Sequence, residues 1–275
     1  MAVLEVSQQV RLHWRVDGAG PRTWLLFNGA SLALSFWDPI ALALARTDRV
    51  LRLDARNAGG TQASGEFSLL DLAADAARLL DHLGVDTGSQ RLLVAGHAFG
   101  GRVAQVFARD WPHRVRGLAI CGTGGQFPAT VPGEGLERMR EAARVNDRAG
   151  WALALEAAYC APGFARRDPA AFEALVADQW DALQARRANA DSGARWDPRI
   201  APSPSYWGTA RVPALLVYGT EDRNGTRENA LDLQQRIPGA RLHFVADAGH
   251  FVIRERPAEV LAHLQAFAVE LDGAG

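Results

Sequence analysis

The feature that most constrains the fold of this chain is the regular alternation of apolar runs of strand length with segments of helical periodicity. Such alternation is typical of a mostly parallel sheet covered by helices on both faces. After an opening hairpin at residues 4–6 and 10–16, the strand predictions cover residues 23–27, 50–54, 91–95, 118–121, 214–218 and 242–245. The helix predictions cover residues 39–46, 69–83, 100–110 and 229–236, with a closing helix from residue 257. The sequence therefore predicts a doubly wound α/β fold.

The middle of the chain interrupts this alternation. Between about Gln126 and Trp207 the sequence is rich in alanine and arginine, helical in pattern, and carries four of the eight tryptophans. No strand pattern is evident in this segment, and the strand predictions resume at residue 214. We therefore predict a core formed by residues 1–125 and 209–275, with residues 126–208 inserted as a helical cap over the carboxyl edge of the sheet.

A glycine-flanked turn joins the predicted strand 91–95 to the predicted helix 100–110. Its sequence, from Gly96 through Ala98 to Gly100, has the small residues that a G-x-S-x-G nucleophile elbow requires on both sides of its central position. Such a turn brings backbone close on both sides and holds the central side chain at a helix N-terminus, where developing negative charge is favoured. A glycine-rich turn of this kind could also bind phosphate, so the motif alone is a weak signal.

Two further polar residues follow later strands in the order that a catalytic triad needs. Asp222 comes shortly after the predicted strand 214–218, and His250 comes after the predicted strand 242–245. In a triad the carboxylate fixes the imidazole tautomer, and the imidazole acts as general base. Each residue alone would be interpreted as a loop side chain. Together, at the ends of three strands, the positions predict a catalytic site formed by Ala98, Asp222 and His250.

On these residues the sequence resembles the capped α/β-hydrolase superfamily over nearly its whole length. The loop at residues 54–61 is similar to the D-x-R-G-x-G-x-S loop of that family, with Asn57 in place of the first glycine. The resemblance implies an α/β-hydrolase fold and an oxyanion hole formed by the backbone N–H groups of Ala30 and Phe99. It also places Asn28 where the family more often has histidine. An asparagine at this position is similar to the one in enol-lactone hydrolases and some bacterial esterases.

Ala98 is the departure from that family, because a methyl group cannot attack a carbonyl. Removing only the nucleophile of a triad costs on the order of a millionfold in turnover.

The favoured interpretation is an inactive form of a carboxylic ester or lactone hydrolase of the Ser-His-Asp type, with alanine in place of the serine. A second is an enzyme without a nucleophile, in which His250 activates water or shuttles a proton; its elbow resembles that of aminoacrylate and carbamate hydrolases, and a lyase is also possible. A third is a ligand-binding protein that has kept the fold.

The composition excludes several classes of function. All 30 basic residues are arginine, which excludes mechanisms that need a lysine ε-amine, such as P-loop phosphate binding and Schiff-base chemistry. A net charge of −1 without long single-sign blocks predicts binding to neither nucleic acid nor membrane. Two cysteines are too few for a disulfide framework or a zinc site. We expect no cofactor and no metal, a cytoplasmic location, and a monomer or homodimer.

The candidate residues for a substrate pocket are polar groups near the elbow and aromatic residues of the cap. They are Asn28, His97, Trp151, Trp180 and Trp207. Large aromatic side chains more often form the core of such a cap than contact a ligand. An aromatic cap over an oxyanion site nevertheless favours a largely apolar small-molecule substrate, an ester or a lactone.

Overall fold

The centre of the molecule is a large twisted sheet. A computed structural model describes residues 2–30, 32–85, 92–188, 193–196 and 205–273. The strands are β1 (Ala2–Ser7), β2 (Val10–Asp17), β3 (Thr23–Phe27), β4 (Arg49–Leu53), β5 (Gln62–Ala63), β6 (Glu66–Phe67), β7 (Leu92–His97), β8 (Val115–Cys121), β9 (Arg195–Trp196), β10 (Ala214–Gly219) and β11 (Arg241–Val245). Nine of them form the main sheet, in the order β1-β2-β4-β3-β7-β8-β10-β11 with β5 paired to β2.

Helices cover both faces of this sheet. They are α1 (Asp38–Leu44), α2 (Leu69–His82), α3 (Phe99–Asp110), α4 (Gly133–Arg144), α5 (Arg148–Tyr159), α6 (Phe164–Arg167), α7 (Pro169–Ala188), α8 (Arg227–Arg236), α9 (Val252–Glu255) and α10 (Pro257–Gly273). Alternate residues of a strand point to opposite faces. In β3, Leu25 and Phe27 therefore pack with α2, α3 and α8. Trp24 and Leu26 pack on the other face with α1 and α10.

The direction of the strands decides where their ends meet. Every neighbouring pair from β4 to β11 along the sheet is parallel. Only the pairs that involve β2 are antiparallel. This confirms the predicted mostly parallel sheet with helices on both faces. The carboxyl ends of β3, β7, β10 and β11 lie at one edge, where open α/β sheets bind their ligands.

The predicted elements differ from the observed ones mainly at their ends and in short strands. Arg91, the predicted first residue of a strand, lies outside the described residues, and β7 is described from Leu92. The middle segment, where no strand was expected, contributes β9, which pairs in parallel with β6. These strands have two residues each, which is too short for an alternating pattern to be detected in the sequence.

Helices α4 to α7 lie between β8 and β10 in the chain, within the segment predicted as a cap, and this segment is called the cap below. An ion pair ties this cap to the core, since Arg254 lies 2.5 Å from Asp178 of α7. The same carboxylate accepts a hydrogen bond from the hydroxyl of Ser35, at 3.3 Å. Among the described residues, no helix has the length and apolar character needed to cross a membrane.

Three glycines allow helix α3 to pack directly against the sheet. A Cβ placed on Gly96 would lie 2.3 Å from the carbonyl oxygen of Gly100, and one on Gly100 would lie 2.3 Å from that of Phe27. A Cβ on Gly101 would lie 1.9 Å from Oγ1 of Thr123. Two of these obstacles are backbone atoms of central strand and helix segments, which cannot move aside without disturbing the sheet.

We therefore expect Gly100→Ala to destabilise the protein strongly. The added methyl group overpacks backbone against backbone, and the loss in unfolding free energy should exceed about 2 kcal/mol. Gly133→Ala is the matched control, because a Cβ at that position meets nothing within 4 Å. The control should change stability by less than about 1 kcal/mol. Urea denaturation of both variants tests this, and equal midpoints would contradict the packing argument.

Candidate active site

The three predicted site positions lie together at the carboxyl edge of the sheet. Ala98 follows β7, Asp222 follows β10, and His250 follows β11. Nδ1 of His250 lies 3.2 Å and 3.3 Å from the two carboxylate oxygens of Asp222. The imidazole is 6% exposed and the carboxylate is fully buried. An ionised carboxylate accepts only, so Nδ1 carries the proton, and Nε2 is left as a base.

Asp222 also organises the turn that it begins. Its Oδ1 accepts hydrogen bonds from the backbone N–H groups of Asn224 and Gly225, both at 2.8 Å. This turn directs the side chain of Asn224 back toward the imidazole, with its Nδ2 3.0 Å from Nε2 of His250. Asp222 therefore holds one nitrogen of the imidazole directly and positions the residue that contacts the other.

The elbow keeps the strained backbone that a nucleophile position requires. Ala98 has φ 50° and ψ −116°, which residues other than glycine rarely adopt. The conformation places it immediately before α3, whose first residue is Phe99. The loop after β3 approaches from the other side, since a Cβ on Gly29 would lie 3.8 Å from that of Ala98. Ala30 and Phe99 both line the resulting cavity, as an oxyanion hole requires.

His97 packs against the imidazole of His250. Its Nε2 donates a hydrogen bond to the carbonyl oxygen of His250 at 2.8 Å, and the two rings lie 5.1 Å apart. Burial, with the nearby His250 adding a smaller effect, lowers the pKa of His97 to about 3. His97 is therefore neutral, and its buried Nδ1 has no hydrogen-bond partner among the described residues.

A cavity of about 600 Å³ lies between this edge and the cap. Apolar side chains of the cap form much of its wall, among them Leu136, Met139 and Trp151. Arg102, Arg140 and Arg186 line it as well, whereas no Asp or Glu does so among the described residues. The cavity is thus apolar in part and positively charged in part.

The predicted pocket residues fall into two groups. His97 and Trp151 line the cavity. Trp180, Asn28 and Trp207 are not among its described lining residues. Trp180 packs edge-on behind Trp151, at a centroid distance of 5.6 Å. Asn28 donates hydrogen bonds to the carbonyl oxygens of Leu32 and Leu53, so it braces the loop after β3. Trp207 is buried on the face that packs with α2 and α3, and its indole donates to a carboxylate of α8.

Sequence reasoning missed the charged and amide groups of this cavity. Asn224 could have been found, because an Asp side chain commonly accepts a hydrogen bond from the backbone N–H two residues on, which places Asn224 in a turn begun by Asp222. The arginines of the cap gave no such signal, because the chain has 30 arginines. Which of them face the cavity depends on how the helices pack.

Two other side chains near the elbow carry groups that could act as nucleophiles, but burial raises the pKa of both. Cys121 is fully buried, and burial raises the pKa of its thiol to about 12, so it stays protonated. Tyr159 lines the cavity, but burial raises the pKa of its phenol. Among the described residues, no group of three or more His, Cys, Asp or Glu side chains could hold a metal ion.

Comparison with known proteins agrees with this architecture. Residues 24–263 match the model of the alpha/beta hydrolase family, and the chain belongs to that family. It is 28% identical to a 2-hydroxy-6-oxononadienedioate/2-hydroxy-6-oxononatrienedioate hydrolase of Klebsiella pneumoniae, over 90% of this chain and 87% of the relative. Two solved structures superpose over 98% of this chain. A thermophilic esterase of Thermogutta terrifontis is 26% identical, with a TM-score of 0.76 and 97% of its chain covered. The enol-lactonase of Burkholderia xenovorans LB400 is 25% identical, with a TM-score of 0.75 and its whole chain covered.

A buried carboxyl group lies next to the base and connects it to the cap. Glu255 accepts hydrogen bonds from the backbone N–H groups of Ala161 in the cap, at 2.8 Å, and of Phe251, at 3.2 Å. Burial outweighs these hydrogen bonds and raises the pKa of Glu255 to about 7. Near neutral pH this carboxyl group therefore exchanges its proton while it holds the histidine loop.

The raised pKa of Glu255 makes the unfolding free energy depend on pH. The folded-state pKa of about 7 lies above the ordinary 4.5, so the folded state binds the proton more tightly. The associated stability is present below pH 4.5 and is lost as pH rises through about 7. We expect Glu255→Gln to remove this loss, so the variant gains on the native chain by up to about 1.4 kcal/mol per pH unit in that window.

Urea denaturation at pH 5, 6 and 7 measures this difference. Glu259→Gln, an exposed position on the following helix, is the control and should keep a constant difference from the native chain. The same constancy for Glu255→Gln would show that Glu255 does not titrate in this range.

Proposed function

We propose that this chain is a small-molecule hydrolase in which His250, held by Asp222, activates water directly and no acyl-enzyme forms. The observation that carries the proposal is the buried Asp222–His250 pair, which leaves Nε2 beside a cavity whose elbow presents only the methyl group of Ala98. All the groups needed for general-base hydrolysis are present, and only the covalent nucleophile is missing.

The reaction follows from the geometry of the site. Nε2 of His250 takes a proton from water as the water oxygen forms a bond to the carbonyl carbon of the substrate. The electrons of the carbonyl bond move to its oxygen, which the N–H groups of Ala30 and Phe99 stabilise. The tetrahedral intermediate then expels the leaving group, which receives the proton from the imidazolium. Asp222 stabilises the imidazolium throughout and remains ionised.

A second candidate is an ester or lactone hydrolase of the Ser-His-Asp type, of which this chain is the alanine form. The strained conformation of Ala98 favours it, because that backbone presents a side chain at position 98 to the base. The esterase and the enol-lactonase among the structural relatives also favour it. The two candidates differ in whether the chain with Ala98 turns over substrate.

Assays of the native chain, Ala98→Ser and His250→Ala with aryl esters, enol lactones and carbamates separate the candidates. Water activation by the base predicts turnover by the native chain and a fall of about 100-fold or more in kcat for His250→Ala, since the general base is lost. Ala98→Ser should not accelerate that reaction, because the new hydroxyl competes with water for Nε2.

The second candidate predicts the opposite pattern. Activity would then appear only in Ala98→Ser, with a gain of about 1,000-fold or more over the native chain. A burst of product in pre-steady-state kinetics would mark its acyl-enzyme. If neither form turns over any substrate while a ligand raises the Tm, a non-catalytic binding protein is the remaining interpretation.

The cavity wall supports a more specific substrate class than the largely apolar ester or lactone expected from the sequence. Its apolar lining suits an acyl chain or ring, whereas Arg102, Arg140 and Arg186 favour an anionic group at one end. None of these arginines forms an ion pair within the part of the chain that the structure describes. The Klebsiella relative is named for substrates that are dicarboxylates. We infer a substrate with an apolar body and a carboxylate.

Replacing Arg140 by Gln should therefore weaken binding of anionic substrates selectively. For an aryl ester of a dicarboxylic acid, we expect KM to rise about 10-fold or more, which corresponds to about 1.4 kcal/mol. KM for a neutral aryl ester of equal length should change little. Arg138→Gln is the control, since Arg138 lies on the same helix but pairs with Glu134 away from the cavity. Equal effects of both substitutions would refute a role of Arg140 in binding.

A further inference from the structure

The side chain of Asn224 contacts Nε2 of the His250 imidazole. The hydrogen bond from Nδ1 to Asp222 leaves Nε2 as an acceptor, so the amide nitrogen of Asn224, at 3.0 Å, is the donor. In a serine hydrolase this lone pair accepts the hydrogen bond of the nucleophile hydroxyl. Here Ala98 offers no donor, and an unsatisfied Nε2 in this half-enclosed site would be costly.

The backbone that carries Asn224 is fixed by close packing. Its N–H group is bound by Asp222 Oδ1 at 2.8 Å. A Cβ on Gly124 would lie 2.5 Å from the carbonyl oxygen of Asn224, and one on Gly225 would lie 2.4 Å from the carbonyl carbon of Gly122. The turn is therefore packed closely against the glycine-rich segment at residues 122–125. The side chain of Asn224 is half-buried and lines the cavity. Only the torsions of this side chain therefore remain free to change.

We propose that Asn224 is a positioning residue for the water-activating base, an inference that rests on the proposed function. In the free protein its amide donates to Nε2 of His250 and holds the imidazole in the tautomer with the proton on Nδ1. When substrate and water enter, the amide turns its N–H group to the water oxygen, and the water donates its proton to Nε2. Asn224 thus takes over the task of orienting the attacking oxygen, which a covalent serine would otherwise supply itself.

Other titratable groups also face the imidazole and set the background for a pH measurement. They are Asp222 at Nδ1, His97 from β7, and Tyr159 from the cap helix α5, whose ring lies 5.8 Å away. Glu255 lies next to the loop that carries His250, and its pKa of about 7 falls within the pH range of the rate profile. All four are unchanged in a variant of Asn224, so a difference between variant and native chain isolates the amide.

Two substitutions of Asn224 test the proposal. Asn224→Leu keeps the branched shape of the side chain and removes the donor. We expect kcat to fall about 10-fold with KM changed less than about 2-fold, and the acid limb of the rate profile to move to higher pH. Asn224→Asp keeps the shape and adds a charge that favours the imidazolium, so kcat near neutral pH should fall about 100-fold. Glu221→Gln is the control, because Glu221 is an exposed residue at the same turn. The kcat and pH profile of this variant should equal those of the native chain.

A measurement without substrate separates this proposal from the proposed function. Nitrogen-15 NMR of labelled histidine reports the tautomer of His250 and the pH at which it is half protonated. The native chain should show the proton on Nδ1, and Asn224→Leu should show a raised half-protonation pH. If this change occurs although the native chain hydrolyses nothing, Asn224 positions the base and the proposed function fails.

The opposite results would overturn the proposal. Native-like nitrogen-15 shifts, half-protonation pH and kcat in Asn224→Leu would show that the amide does not hold the imidazole. A fall in kcat accompanied only by a lower Tm, with the rate profile unchanged, would reduce Asn224 to a structural role. Asn224→Asp keeps the proposal testable if the leucine variant does not fold, because it differs from the native side chain by one atom.

Discussion

The direct packing of helix α3 on strands β3 and β7 is the constraint on which the site depends. The small residues at Gly96 and Gly100 permit this contact, and in the turn between them the backbone of Ala98 has a positive φ. Such a conformation costs on the order of 1–3 kcal/mol and persists only where surrounding packing imposes it. The packing of α3 on the sheet therefore imposes the backbone conformation of the elbow. Ala30 and Phe99 line the cavity next to this turn.

Asp222 is the second organising element, because it acts on both sides of the base. Its carboxylate bonds to one nitrogen of the His250 imidazole, and through two backbone N–H groups it shapes the turn that brings Asn224 to the other nitrogen. The carboxylate is fully buried, in a region of low dielectric. Its electrostatic interaction with the imidazole is therefore stronger than it would be in water. The imidazole of His250 thus has a hydrogen-bond partner at each nitrogen.

Core and cap contribute different properties to the cavity. The strand ends of the core carry His250, Ala30 and Phe99, whose positions follow from the geometry of the sheet. The cap supplies an apolar wall together with Arg140 and Arg186, and it is joined to the core by the Asp178–Arg254 ion pair and by Glu255. In the proposed function, this division suits a substrate whose reacting carbonyl is held by the core and whose remote end is selected by the cap. Binding at the remote end can then be used to position the reacting carbon.

The sequence by itself determined the sheet, its helices and the order of the residues at its edge, because hydrophobic periodicity and glycine spacing are local properties of the chain. It also placed Ala98, Asp222 and His250 at one edge, since parallel strands bring their carboxyl ends together. Tertiary structure alone decided which side chains of the cap face the cavity. It brought Arg140 and Arg186 to the wall, buried Trp180 behind Trp151, and left Trp207 on the far face, because helix docking angles are set by long-range packing. The contact between Asn224 and Nε2 of His250 likewise joins residues 26 positions apart in the chain and exists only in the folded protein.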